Sequence, residues 1–148
     1  MDADFPNTEP VWTALRKHVP EVTSGLVKVV EIMREPGHSV VVVASNDPRS
    51  DPVGTVVGHR GERVKPMVSE LGGEKIDIIR WDESAERFIG NLLAPLRLIR
   101  VSFDDDTREA RAVAMLPSIS RPPPLTLRLE ILMRLTGWKL HIEVKHEG

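Results

Sequence analysis

The sequence contains no cysteine, which excludes disulfide frameworks, thiolate metal sites and cysteine nucleophiles at once and fits a reducing, cytoplasmic setting. Long apolar runs are missing too. Nothing approaches the roughly 20 residues of a membrane span, so no membrane partner is expected. The start, Met1-Asp2-Ala3-Asp4, lacks the basic region that opens a secretory signal. An excess of one charge is also absent: 20 Lys and Arg stand against 22 Asp and Glu, for a formal net charge of -2. A protein that coats nucleic acid by bulk electrostatics needs many surplus cations, so any polyanion contact here must be local. The five histidines, His18, His38, His59, His141 and His146, show no metal-ligand spacing such as H-x-x-x-H. No Gly-Lys-Ser/Thr loop and no dinucleotide fingerprint accompanies the glycines, and no paired acid or nucleophile–base set is present. Neither an enzyme nor a cofactor is expected.

What remains has a globular balance, 41% apolar and 28% charged, which predicts a folded core. A chain of 148 residues holds one ordinary domain or two small ones, since folding alone becomes marginal below about 60 residues. Val11, Trp12, Leu15 and Val19 predict a helix that Pro20 stops. Two β-branched runs, 26–33 and 40–43, flank Arg34-Glu35-Pro36-Gly37 and predict a strand pair with a Pro-Gly turn. Asp51 is placed to cap a helix with Pro52 in its first turn, and that helix runs through Val57. Gly58 and Gly61 break it. Val64, Met67, Val68 and Leu71 then resume the helical period as far as Gly72-Gly73. Pro66 lies four residues after Glu62, so this helix is expected to begin near Arg63 or to kink. Residues 75–81 alternate as a strand, and Ala85, Phe88, Ile89, Leu92 and Leu93 predict a helix ending before Pro95.

From Leu96 the pattern restarts in shortened form. Residues 96–103 and 110–116 read as strands around Asp104-Asp105-Asp106, whose consecutive acids point different ways and suit a solvated turn better than a metal site. Leu125, Leu129, Leu132 and Met133 form a helical stripe, and 138–144 closes as a strand. Gly73-Glu74-Lys75-Ile76-Asp77-Ile78 is answered by Gly137-Trp138-Lys139-Leu140-His141-Ile142, so an internal duplication is the simplest account. The three tryptophans, Trp12, Trp81 and Trp138, are read as structural.

Gly58-His59-Arg60-Gly61 between two short helices is the arrangement with which a KH domain clamps about four nucleotides. Glycines without Cβ atoms let the backbone approach phosphate, and the start of the following helix offers N–H groups and partial positive charge. Arg60, Arg63 and Lys65 gather beside it, opposed only by Glu62. A bare GxxG commonly marks nothing more than a helix–helix turn, but the β-β-α-GxxG-α-β order favours the clamp. In this reading the sugar-phosphate track lies on 58–61, Arg63 and Lys65, with His59 stacking on a base or touching phosphate, while Val53, Val56, Val57 and Ile78 contact bases.

Val19-Pro20-Glu21-Val22, Arg34-Glu35-Pro36-Gly37, Asp51-Pro52-Val53-Gly54, Gly58-His59-Arg60-Gly61-Glu62-Arg63-Val64, residues 73–81 and Leu135-Thr136-Gly137-Trp138-Lys139 together resemble the tandem KH region of NusA-type bacterial transcription factors. The likeness spans about residues 8–144. It implies an α+β fold of two tandem type II (prokaryotic) KH domains packed together, binding single-stranded nascent RNA during elongation, termination or antitermination. The expected organisation is an N-terminal segment and linker helix over 1–22, a first KH domain with its GxxG over 23–95, and a degenerate second over 96–148. The polymerase-binding and OB-fold domains of such factors have no counterpart in this sequence, so contact with RNA polymerase or the elongation complex is expected only through domains absent here. The second domain lacks its GxxG: Ser120-Arg121-Pro122-Pro123-Pro124-Leu125-Thr126 stands in that stretch, and three prolines hold an extended path. The rival reading is a KH-derived protein-interaction scaffold with little RNA binding.

Overall fold

The computed structural model describes residues 6–118 and 121–147; the acidic start and Ser120 of the proline-rich stretch lie outside the described residues. The chain divides into two compact units, Met1–Trp81 and Asp82–Gly148, each mixing helices with one three-stranded sheet.

The first unit runs α1 (Glu9–His18), α2 (Pro20–Ser24), β1 (Val27–Glu35), β2 (His38–Ser45), α3 (Pro52–Val57), α4 (Val64–Glu70) and β3 (Lys75–Arg80). Pro20 ends α1 as expected but also opens α2 as its first residue, a position where the missing N–H costs nothing. In the sheet, β1 pairs antiparallel with β2, and β2 parallel with β3. The central strand is buried on both faces, with Val40, Val41, Val42 and Val43 all at 0% exposure, which is why it reads as an unbroken valine run. Val41, Val43 and Ile32 join Val11, Leu15, Val56 and Met67 in one core cluster.

One largely buried ion pair ties four segments of this unit together. The Arg34 guanidinium on β1 donates to both oxygens of Glu74, at 2.9 Å from Nε to Oε2 and 2.9 Å from Nη2 to Oε1. The Ser39 hydroxyl on β2 donates to the same carboxylate, and Arg34 Nη1 reaches the Asn7 carbonyl at 2.7 Å. Burial by itself would raise the Glu74 carboxyl, but the Arg34 and Ser39 hydrogen bonds outweigh it and leave the group below its ordinary value.

The second unit runs α5 (Ala85–Leu93), β4 (Arg97–Asp104), β5 (Glu109–Leu116), α6 (Thr126–Thr136) and β6 (Lys139–His146), with sheet order β4-β5-β6. The division after Trp81 puts α5 in this unit, whereas the sequence reading carried the first domain to residue 95. Helix α5 packs on β4 and α6, which is where Phe88, Ile89, Leu92 and Leu93 are buried. The stripe expected on α6 is also rotated: Leu127, Ile131 and Leu132 are buried while Met133 is 39% exposed. Leucines and methionine surround this helix, so periodicity could not choose the inward face.

The two sheets repeat one another in detail. Lys75 N donates to the Gly37 carbonyl at 3.1 Å, and Lys139 N to the Arg108 carbonyl at 3.0 Å; Gly37 and Arg108 both have positive φ. One histidine–carboxylate contact recurs with its partners exchanged. His38 Nε2 on β2 meets Asp77 on β3 at 2.7 Å, and His141 Nε2 on β6 meets Glu109 on β5 at 2.8 Å. His38 and Glu109 pair with Lys75 and Lys139, two residues before Asp77 and His141. Where Glu74 stands in the first unit, Trp138 stands in the second, with Phe103 edge-on at 4.9 Å and Arg108 over its ring at 3.9 Å.

Glu74→Gln is expected to lower unfolding stability near neutral pH by about 3 kcal/mol, because it strands a largely buried guanidinium. A folded-state carboxyl below its ordinary value contributes stability that is complete above pH 4.5 and disappears as pH falls through the lowered value. Urea titrations of parent and variant at a series of pH values should therefore converge in acid.

Candidate nucleic-acid interface

Helix α3 is nucleated by its own first residues. The Asp51 side chain accepts from Gly54 N at 3.0 Å, its carbonyl accepts from the Thr55 hydroxyl at 2.8 Å, and Pro52 occupies the first turn. The helix stops at Gly58, with φ 79 and ψ 165, a backbone region essentially restricted to glycine. A Cβ there would stand 2.9 Å from both Arg63 Cγ and Arg63 N. A single 3-10 turn, His59–Gly61, follows, with Arg60 left-handed at φ 55 and ψ 27. Helix α4 then begins at Val64 after Arg63. Pro66 is thus its third residue, where the absent N–H would have had no intrahelical partner.

The turn presents some of the expected groups and uses others internally. His59, Arg60 and Lys65 are exposed, and Gly58 and Gly61 are half-buried. Lys65 lies close to Gly61, whose Cβ would come 3.2 Å from Lys65 Cε. The N–H groups of Gly61, Glu62 and Arg63 do not face outward as expected. They donate to the Gly58, His59 and Val57 carbonyls at 3.0, 3.0 and 3.1 Å, so positive charge at the turn rests on side chains. Arg63 faces inward, with Nη1 donating at 2.9 Å to Glu21 on α2 and at 2.9 Å to the Thr55 carbonyl. The Glu21 carboxyl is held below its ordinary value by its own backbone N–H and by Arg63. No short-range sequence pattern links residues 21 and 63, which is why this brace was not legible beforehand.

Beside the turn, α3 packs on β2 and β3. Pro52 and Val56 point inward one helical turn apart, and Val56 is 0% exposed, which corrects its assignment as a base-contacting residue: it belongs to the core. Val53 and Val57, one position further round, remain half-buried, as does Ile78 on the edge strand β3. Val53 and Ile78 border the core cluster. The geometry therefore joins an exposed cationic turn to a partly open apolar edge. Among the described residues, no group of three or more His, Asp and Glu could hold a metal ion. In the second unit, residues 121–125 carry no helix and no glycine occurs between Gly90 and Gly137.

The family described as NusA-like first KH domain matches residues 8–81. Three curated relatives carry the name transcription termination/antitermination protein NusA. The Thermus thermophilus protein is 35% identical over 135 aligned positions, covering 87% of this chain and 34% of its own length. The Mycobacterium tuberculosis protein is 36% identical, covering 90% and 43%, and the Bacillus subtilis protein 35%, covering 84% and 34%. The chain thus spans a third to a little over two-fifths of the length of these relatives. The crystal structure of APE1850 superimposes with a TM-score of 0.57 at 12% identity, covering 90% of this chain and 99% of that one, a likeness of fold.

Gly58→Ala should cost about 1–3 kcal/mol, from the glycine-only backbone, in thermal or urea unfolding. Gly25→Ala, also at positive φ but with open space around its Cβ position, should cost less.

Proposed function

This chain belongs to the NusA-like KH family, and from that premise we propose that its first unit is a non-enzymatic module that binds single-stranded RNA. The observation that carries the reading is the turn at 58–61: its shape is fixed from behind by the glycine-only conformation of Gly58 and the Arg63–Glu21 brace, while His59 and Arg60 face solvent. A backbone already held in one shape binds a flexible strand without the cost of ordering itself. Arg60 and Lys65 attract phosphates, and glycine at 58 and 61 lets the strand lie close. Val53, Val57 and Ile78 offer apolar contact to bases that single-stranded RNA leaves unstacked. Arg63 acts as a positioning residue that holds the turn.

The relatives' shared name, together with this geometry, supports a role on nascent transcripts during elongation, termination or antitermination, in the cytoplasm where bacterial transcripts are made. Binding is weak and salt-sensitive, because few phosphates are neutralised and each contact is solvent-exposed.

Replacing both His59 and Arg60 with Asp should weaken binding of a fluorescent single-stranded RNA by about tenfold or more and flatten the log–log salt dependence by roughly 0.7 for each phosphate that is no longer neutralised. Anisotropy titrations with circular dichroism as a folding control measure this. Unchanged RNA affinity in the folded variant would remove the clamp, whereas a parent that binds no RNA would favour the protein-scaffold reading.

A further inference from the structure

The second unit has no helix–glycine–helix grip among its described residues, yet its sheet displays a row of cations, of which Arg111 also helps His141 and Lys139 hold the neighbouring Glu109 carboxyl below its ordinary value. Register places Ser102, Arg111 and His141 in one cross-strand row, Arg100, Val113 and Glu143 in the next, and Arg97, Met115 and Lys145 beyond. The first two rows line a single shallow depression of about 420 Å³. Arg97, Arg100, Ser102, Arg111 and Lys145 are exposed. Among the described residues no hydrogen bond or ion pair holds the guanidinium of Arg100 or Arg111, whereas His141 is bound to Glu109 at 2.8 Å.

An exposed sheet face needs polar side chains, but it does not need this sign of charge. Across the three rows stand four permanent cations and one carboxylate, Glu143, in a protein whose total charge is slightly negative. Arg100 and Arg111 are diagonal neighbours on adjacent strands, a relation that puts side chains about 7–8 Å apart. Each planar fork can take a phosphate through two parallel N–H donors. Ser102 adds a hydroxyl opposite Arg111, and Val113, only 8% exposed, floors the depression. The same face of the first sheet is built differently: Met33, Val40, Val42 and Ile79 there are apolar and buried, and the charged groups in those rows are the acids Glu31 and Asp77, not arginines.

We propose that the β4–β5–β6 face, through Arg100 and Arg111, is a second contact surface for the sugar-phosphate backbone of single-stranded RNA. The proposal rests on the reading of the first unit as an RNA-binding module and names a site independent of its clamp. Backbone contacts of this kind carry charge and little base identity. The surface therefore supplies affinity and salt sensitivity without sequence preference.

The test uses the full chain with an oligouridylate of about six nucleotides, long enough to cover a four-nucleotide clamp or a pair of arginines. R100Q/R111Q should weaken binding roughly three- to tenfold, as expected for two exposed charge contacts, and flatten the salt slope by about 1.4 for two phosphates. R100K/R111K should recover the slope, since the charge returns while the fork does not. Adding R100Q/R111Q to the His59→Asp, Arg60→Asp variant should remove its residual binding. Unaltered affinity and slope in R100Q/R111Q, with binding still weakened in the clamp variant, would overturn the sheet surface and leave the clamp standing. The reverse pattern would support the surface and sink the clamp. A parent that binds no RNA removes both. Polyglutamate of matched charge displacing RNA from the clamp variant as well as RNA itself would reassign the surface to an acidic protein, against the proposal.

Discussion

A parallel pair of neighbouring strands cannot be closed by a tight turn; the chain must leave the sheet, cross over and return at the same end. Both units of this protein contain such a pair, β2 with β3 and β5 with β6, and the crossover is where their structures part. In the first unit the connection, residues 46–74, accommodates two helices and the turn between them, and that turn emerges at the surface. In the second, residues 117–138 must make the same crossing with seven fewer. Among the described residues one helix survives, preceded by prolines that cannot donate to a helical ladder. The presence of a helix–glycine–helix turn in one unit, and of none among the described residues of the other, thus follows from the length and composition of one connection.

The strand pairs themselves are copied closely. The backbone bond into each third strand and the His–carboxylate pair two residues along it recur at matching positions, the latter with acid and base exchanged. An exchange of this kind preserves the attraction across the strands while changing what each strand contributes. Elsewhere the copies have diverged in how they lock the same corner. The first uses a buried Arg34–Glu74 pair that needs Ser39 and the Asn7 carbonyl to satisfy its remaining groups; the second uses an arginine stacked on an aromatic ring, a solution with no buried charge to compensate.

Function follows the same division of labour. The first unit gathers positive charge at one turn and engages the group that shapes it, the half-buried Arg63, with Glu21. Its near-neutral composition conceals that concentration, because the carboxylates on the remaining surface cancel it in the sum. In the second unit, charge is spread over a sheet face instead. Both surfaces suit a flexible polyanion whose phosphates are regularly spaced, and neither requires a strongly basic protein.

Periodicity, caps and turn chemistry made most of the elements legible: the valine run of β2, the Asp51-Pro52 start of α3 and the Gly58-Gly61 break each act through neighbours a few residues away. The sequence likewise determined that the second crossover could hold no glycine turn, since no glycine is there to form one. Tertiary structure decided the rest. Val56 left the candidate site because helix rotation over the sheet, not hydrophobicity, selects which valine of α3 faces inward. Arg63 gained a role as a brace that the sequence did not show, because its partner lies 42 residues away. Arg100 and Arg111 became neighbours only through strand register. Short-range stereochemistry is written in adjacent residues, whereas a partner across the fold is chosen by packing that no local pattern records.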